Sequence, residues 1–347
     1  MEDFRTRLED TAVLLVDGAT GTNYFNAGLE TGHPPELWVE ENPEAVLALH
    51  DAFLEAGADI ILTNSFGGTA NRLKLHQAEN RVAALNSRAA RLACQARDRH
   101  CEDHGRSGPS KQKYVAGSIG PTGELFQPLG MLSHAMAVDA FAEQANALAE
   151  GGVDLLWIET MSSIEEIDAA LEAGLATGLP VVATMTFDTA GKSMMGVTPA
   201  AFASHASQRG ISAVGANCGI GPAELIHSML GMLEDSSIPL VAKGNCGIPE
   251  YLDGKIHYHG TPELMASYAL IARDAGIRMI GGCCGTTPQH IAAMRQALDT
   301  TPPQPGVDAA RLEASLGKPW PDLNPDAASA SAASGATDRQ RRGRRRR

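Results

Sequence analysis

The sequence predicts an α/β fold, a (β/α)8 TIM barrel forming a single domain, and three observations carry that reading. Eight apolar runs of strand length alternate with helix-length amphipathic segments from near residue 10 to Leu298. The runs are apolar throughout, which suits a parallel sheet covered by helices on its outer face. At 347 residues the chain is long enough to close the sheet, and a closed barrel accounts for eight repeats better than an open doubly wound sheet.

The strand runs are Ala12–Val16, Asp59–Thr63, Tyr114–Ser118, Val153–Ile158, Pro180–Thr186, Ser212–Ala216, Ile238–Ala242 and Arg278–Ile280. A helix follows each. The first is Pro43–Ala56, capped by Asn42 and opened by proline, which has no N–H to lose in the first turn. The others span roughly Ala78–His100, Ala135–Glu150, Ile164–Ala176, Pro199–Gln208, Pro222–Glu234, Pro262–Ala275 and Pro288–Leu298. Residues 1–300 are therefore read as the barrel. Residues 301–323 form a Pro-rich linker with a short helix at Asp308–Leu316, and residues 324–347 form an Ala/Ser-rich and then Arg-rich disordered tail.

Barrel active sites lie at the C-terminal ends of the strands, and the polar residues of this chain collect there. Strand ends carry Asp17-Gly18, Thr63-Asn64-Ser65, Ser118-Ile119-Gly120, Glu159-Thr160, Asn217-Cys218, Lys243-Gly244-Asn245 and Cys283-Cys284. Cys218 and the Cys283-Cys284 pair, far apart in sequence, thus meet over one barrel mouth. Three thiolates with one open position make a catalytic zinc site, whereas structural zinc has four closed ligands. Inert buried thiols are the alternative, since free cysteine is often buried. The glycines flanking the cysteines, in Gly215-Ala216-Asn217-Cys218-Gly219 and Gly281-Gly282-Cys283-Cys284-Gly285, favour the metal reading.

Composition narrows the partners. The net charge is −13, and the last ten residues hold seven arginines and one aspartate, so a +6 end is joined to a body carrying −19. An acidic body offers no footprint for nucleic acid. No apolar stretch is long enough to cross a bilayer, and the start of the chain lacks a secretory pattern. A cytoplasmic location is expected, with the six cysteines as ligands or free thiols.

Six motifs in order resemble those of the homocysteine S-methyltransferase family. They are Asp17-Gly18-Ala19-Thr20-Gly21-Thr22, Thr63-Asn64-Ser65-Phe66, Gly120-Pro121-Thr122-Gly123, Glu159-Thr160, Gly215-Ala216-Asn217-Cys218 and Gly281-Gly282-Cys283-Cys284-Gly285-Thr286. Lys243-Gly244-Asn245-Cys246-Gly247-Ile248-Pro249-Glu250 and the stretch from Asn64 to Leu75 look most like bacterial betaine-homocysteine methyltransferases. The resemblance implies Zn2+ on Cys218, Cys283 and Cys284, and a substrate site at Asp17, Gly18, Thr63, Glu159 and Asn217, with Asp17 and Glu159 holding the ammonium of homocysteine. It implies a donor wall at Trp38 and Phe66, where aromatic faces suit a quaternary ammonium. The chain departs from the animal enzymes in having Gly67-Gly68 where they carry a donor-site tyrosine, so Phe126 or Tyr258 would have to complete the cage.

The implied reaction is methyl transfer from betaine, or a related onium donor, to homocysteine, giving methionine and dimethylglycine. Homocysteine and the donor are the expected small-molecule partners, and self-association into a homo-oligomer is compatible with the sequence. Two other readings stay open. One is the homocysteine-binding component of a split cobalamin-dependent methionine synthase, disfavoured because little chain follows Leu298. The other is a noncatalytic barrel whose structural zinc takes Cys246 as fourth ligand.

Overall fold

The computed structural model describes residues 3–10, 12–104, 112–247, 249–252 and 255–320, with side chains left aside at 249, 251–252 and 255–257. Eight parallel strands form the barrel: β1 (Leu14–Leu15), β2 (Ile60–Leu62), β3 (Tyr114–Ile119), β4 (Leu155–Met161), β5 (Val181–Met185), β6 (Ala213–Cys218), β7 (Leu240–Gly244) and β10 (Met279–Gly282). Seven neighbouring pairs run from β1 through β10 and β7 back to β2. The Val16–Ile60 bridge then closes the ring, with the Asp17 N–H donating to Ile60 O at 3.0 Å. Below this seam the Asp59 carboxylate accepts from Leu15 N at 3.0 Å and pairs with Lys113 at 3.1 Å.

The strands fall where the apolar runs predict them, with shifted ends. β4 and β6 continue through Glu159 and Cys218; Cys218 pairs with Gly244 of β7, and Glu159 sits where the β4–β5 register shifts between Ile158 and Met161. The outer helices keep the expected order. Proline opens five of them, at Pro43, Pro199, Pro222, Pro262 and Pro288. Ser133, Ser163, Thr198 and Thr261 cap their helices through their hydroxyls, each cap worth about 1 kcal/mol. The helix expected from Ala78 begins with a short 3-10 turn and runs as Val82–His104.

Several short elements lie outside the expected pattern, among them a helix before β1 and a hairpin after β7. A helix at Phe4–Glu9 plugs the bottom of the barrel, where Phe4 and Leu8 join the interior cluster of Leu14, Val16, Ile60, Tyr114 and Trp157. Phe4 meets Tyr114 edge-on at 5.3 Å between ring centres, and burying such a side chain contributes about 1.5–3 kcal/mol. An antiparallel hairpin, β8 (Pro249–Leu252) with β9 (Lys255–Tyr258), rises between β7 and β10 where the sequence reads as loop. The short helix after the linker forms at Ala309–Leu316, capped by Asp308 and docked through Leu312. Of the expected 301–323 segment, residues to 320 are described, and the tail at 324–347 lies outside the described residues. No described helix is long and apolar enough to cross a membrane.

Candidate active site

The three cysteines converge at the barrel mouth. Cys218 Sγ lies 2.7 Å from Cys283 Sγ and 4.0 Å from Cys284 Sγ, and all three sulfurs are within 4.8 Å of one another. Two strand ends bring them together. β6 delivers Cys218, and the turn after β10 delivers the pair, tied down where Cys283 N–H donates to Gly244 O at 2.7 Å. Cys218 adopts a left-handed backbone with φ 58°, as does Thr160 across the mouth with φ 64°. For a residue with a Cβ this costs on the order of 1–3 kcal/mol, the kind of strain that collects at functional sites.

Two asparagines hold that arrangement. Asn217 is fully buried; its Oδ1 accepts from Thr160 N at 2.8 Å and from Thr184 Oγ1 at 2.7 Å, while its Nδ2 donates to Thr160 Oγ1 at 2.7 Å. Asn217 therefore fixes the strained turn from behind the cysteines and does not line the cavity. Asn245 joins both cysteine loops, accepting from Cys284 N at 3.0 Å and donating to Gly219 O at 2.6 Å. Hydrogen bonds from Cys218 and Cys283 hold the Cys284 thiol well below its ordinary value. Three convergent soft donors, oriented by outer amides, have the make-up of a thiolate metal site. Cys246 stands apart: its buried thiol faces His290 Nε2 at 3.2 Å, and it does not belong to the three-sulfur group.

Beside the cysteines opens a cavity of about 570 Å³, lined by residues that include Gly18 to Thr22, Glu159, Lys243, Phe66 and Tyr258. Glu159 is 8% exposed and accepts from Ser118 Oγ at 2.5 Å. Burial pushes its carboxyl up to about 7, with Lys243 opposing that shift.

Asp17 occupies a different position from the one expected of an ammonium ligand. Its Oδ1 takes Lys243 Nζ at 2.9 Å, its Oδ2 accepts from Leu62 N at 2.7 Å, and it does not line the cavity. Burial, with a smaller push from Cys283, raises the Asp17 carboxyl, while Lys243 and the Leu62 N–H act against it; the contacts are those of a carboxylate. Lys243 in turn is held above its usual value because Asp17 and Glu159 outweigh its own burial. It sits 5.6 Å from the centre of the Trp157 ring, between the apolar interior and the cavity. Thr63 is buried as well, bonded to Ser65 Oγ at 2.6 Å and to Ser118 N at 3.0 Å.

At the expected donor wall the structure separates the two rings. Phe66 lines the cavity and is partly exposed, but Trp38 does not; it is buried in a cluster with Tyr24, 5.2 Å between ring centres. The physical reason is that the 3-10 turn at Pro35–Leu37 and the helix at Trp38–Glu41 turn the indole toward the outer helices. Trp38→Ala should therefore cost about 3–5 kcal/mol of stability, as for other buried aromatic truncations, with Trp38→Phe losing less. Urea unfolding of both variants checks this, and a large change in donor KM without a stability loss would contradict it.

Of the two rings expected to complete the cage, Tyr258 lines the cavity and Phe126 does not. The Tyr258 ring covers Gly285, where an added Cβ would lie 2.3 Å from the ring. At Gly67, directly after Phe66, an added Cβ would lie 2.9 Å from Glu36 Oε1, and at Gly68 one would lie 2.3 Å from Asn86 Oδ1. Lys243 and Asn245 were visible in the sequence only as a strand end. The signal was a lysine directly after the apolar Leu240-Val241-Ala242, a position that requires a buried partner.

Comparison with known proteins agrees with this geometry. The family model described as homocysteine S-methyltransferase matches residues 14–298. The homocysteine methyltransferase MmuM from Escherichia coli, in its metallated form, superposes with a TM-score of 0.71 at 26% identity, over 84% of this chain and 99% of that one. Its oxidized form gives 0.68 at 25% identity, over 84% and 99%. The methionine synthases of Mycobacterium tuberculosis and Mycobacterium leprae are each 30% identical, over 82% and 84% of this chain. The chain spans only about a quarter of the length of these two relatives. With the match running across nearly the whole barrel and the three cysteines gathered at its mouth, the chain belongs to the homocysteine S-methyltransferase family.

Proposed function

We propose that the protein transfers a methyl group from betaine, or a related onium compound, to the thiol of L-homocysteine, giving methionine and dimethylglycine. The convergence of Cys218, Cys283 and Cys284 beside a cavity large enough for two small substrates carries the reading. These cysteines would hold Zn2+, which when bound supplies the Lewis acidity that keeps a thiol as thiolate at neutral pH, against an ordinary pKa of about 8.5. Asn217 and Asn245 keep the three sulfurs in place. Glu159, with one oxygen taken by Ser118, has the other for the substrate ammonium. Lys243 supplies the opposing positive charge that helps Glu159 ionise. In the reaction the sulfur of homocysteine forms a bond to the methyl carbon as the carbon–nitrogen bond of betaine breaks. The electron pair leaves with dimethylglycine, so the protein need not deliver a proton to the leaving group.

The test is purified zinc-loaded protein with homocysteine, offered betaine, S-methylmethionine, dimethylsulfoniopropionate and methyltetrahydrofolate in parallel. Methionine from an onium donor alone supports the reading. A second reading, the homocysteine-binding part of a cobalamin-dependent methionine synthase, is favoured by the two mycobacterial relatives. It requires turnover only when a cobalamin protein is added.

Because Glu159 titrates near 7, homocysteine should bind better as pH rises through neutrality and the carboxylate ionises. Glu159→Gln should raise the KM for homocysteine by about tenfold or more, the loss expected on removing a charge-assisted hydrogen bond, and should flatten that part of the pH profile. An unchanged profile in Glu159→Gln would remove Glu159 from ammonium binding.

A further inference from the structure

The cavity contains two charges for which the protein provides no counter-charge. Glu36 is 7% exposed and lines the wall. The Gly67 N–H donates to its Oε1 at 2.6 Å, and among the described residues no cationic side chain pairs with it. Arg72, on the short helix Ala70–Leu73, also lines the wall, and among the described residues its guanidinium has neither an ion pair nor a hydrogen bond. Two neighbouring basic groups are already engaged, Lys243 by Asp17 and His33 by Glu41, while His76 also lines the wall.

The loop after β3 is shaped to hold this group of side chains. A Cβ at Gly120 would lie 2.6 Å from the Phe66 ring, and one at Gly123 would lie 3.1 Å from Arg72 Nη1. The two glycines of Gly120-Pro121-Thr122-Gly123 thus make room for the ring and the guanidinium to lie side by side along the loop.

Burying a carboxylate without a counter-charge is costly, and a half-buried guanidinium with no partner gains from an anion, so a ligand can complete both. A single ligand does so if it carries a positive and a negative end. We propose that Glu36, Phe66 and Arg72 form a zwitterion subsite: Glu36 and the ring face receive the onium group of the methyl donor, and Arg72 receives its carboxylate. This rests on the onium-donor reading above and adds a requirement to it, that the donor bear a carboxylate. A simple onium would face an unpaired guanidinium, and an anionic donor with no onium would leave Glu36 unmatched. Guanidinium binds carboxylate through paired N–H donors, which gives Arg72 directional selectivity as well as charge.

The test compares dimethylsulfonioacetate with its neutral-ended carboxamide as methyl donors, using the full zinc-loaded chain and homocysteine. Sulfonium donors keep the weaker substrate measurable. Wild-type protein should prefer the carboxylate in kcat/KM by about tenfold to a hundredfold, the loss expected when a charge-assisted hydrogen bond is withdrawn. Arg72→Met should erase that preference by weakening the carboxylate donor alone, and Arg72→Lys should recover part of it. Glu36→Gln should weaken both donors together. Equal use of the two donors by the wild type, an equal loss of both in Arg72→Met, or a rise in homocysteine KM in place of donor KM would each overturn the assignment. Turnover of neither sulfonium compound would show that the onium-donor reading itself fails, an outcome distinct from turnover without carboxylate preference.

Discussion

Cys284→Ala should leave a folded barrel that binds little metal and makes almost no methionine. Disturbing only the outer partners of a metal ligand typically costs about tenfold to a hundredfold in affinity or activity, and loss of a ligand sulfur should exceed that. The fold should survive because Cys284 lies in the turn beyond β10, while the apolar interior is built from Leu14, Val16, Ile60, Tyr114 and Trp157 lower in the barrel. Cys218→Ala and Cys283→Ala should behave alike. Metal content by elemental analysis, circular dichroism and methionine formation measured on one preparation make the comparison. Full activity in wild-type protein stripped of zinc would end the metal mechanism.

Lys243→Met should produce the largest loss of stability of any substitution at the mouth. Lys243 and Asp17 are 2% exposed and pair at 2.9 Å. Removing the lysine leaves a carboxylate in the barrel interior with only the Leu62 N–H as partner. Breaking a buried pair from one side costs about 3–5 kcal/mol, chiefly because the remaining charge is uncompensated. The double variant Asp17→Asn with Lys243→Met should recover much of that, since the asparagine oxygen can still accept from Leu62 and no charge remains. Urea unfolding of the single and double variants reads out both effects. If the double variant is no more stable than Lys243→Met, uncompensated charge is not the cause.

The positions of the site residues were largely legible in the sequence because a parallel barrel puts all its strand ends on one rim. Knowing where the apolar runs stop was enough to bring Cys218, Cys283, Cys284 and Glu159 together. The roles at that rim were less legible. Asp17 and Glu159 read alike as carboxylates at strand ends, yet one faces Lys243 and the other faces the cavity. Which of them meets solvent depends on side-chain direction and on the strand opposite, and neither follows from apolar pattern. Trp38 shows the same limit: an indole in a loop beside the mouth could face either way, and a short helix decides it. The plug at Phe4–Glu9 was hidden because six residues, three of them charged, carry too little periodicity to register. Glu36 and Arg72 look like surface charges until the cavity walls are assembled.

The left-handed backbone at Thr160 and Cys218 sets a ceiling on how this protein can be improved. Glycine enters such a conformation without the steric penalty that a side chain meets, so selection for heat tolerance alone would push both positions toward it. At Thr160 that change discards a hydroxyl that satisfies Asn217. At Cys218 it discards one of the three clustered sulfurs, so under the proposed metal mechanism the handicap there is inherited by every active descendant of the sequence. Gains in durability must then accumulate on the outer helices, far from the chemistry, while the rim of the barrel stays close to its present residues.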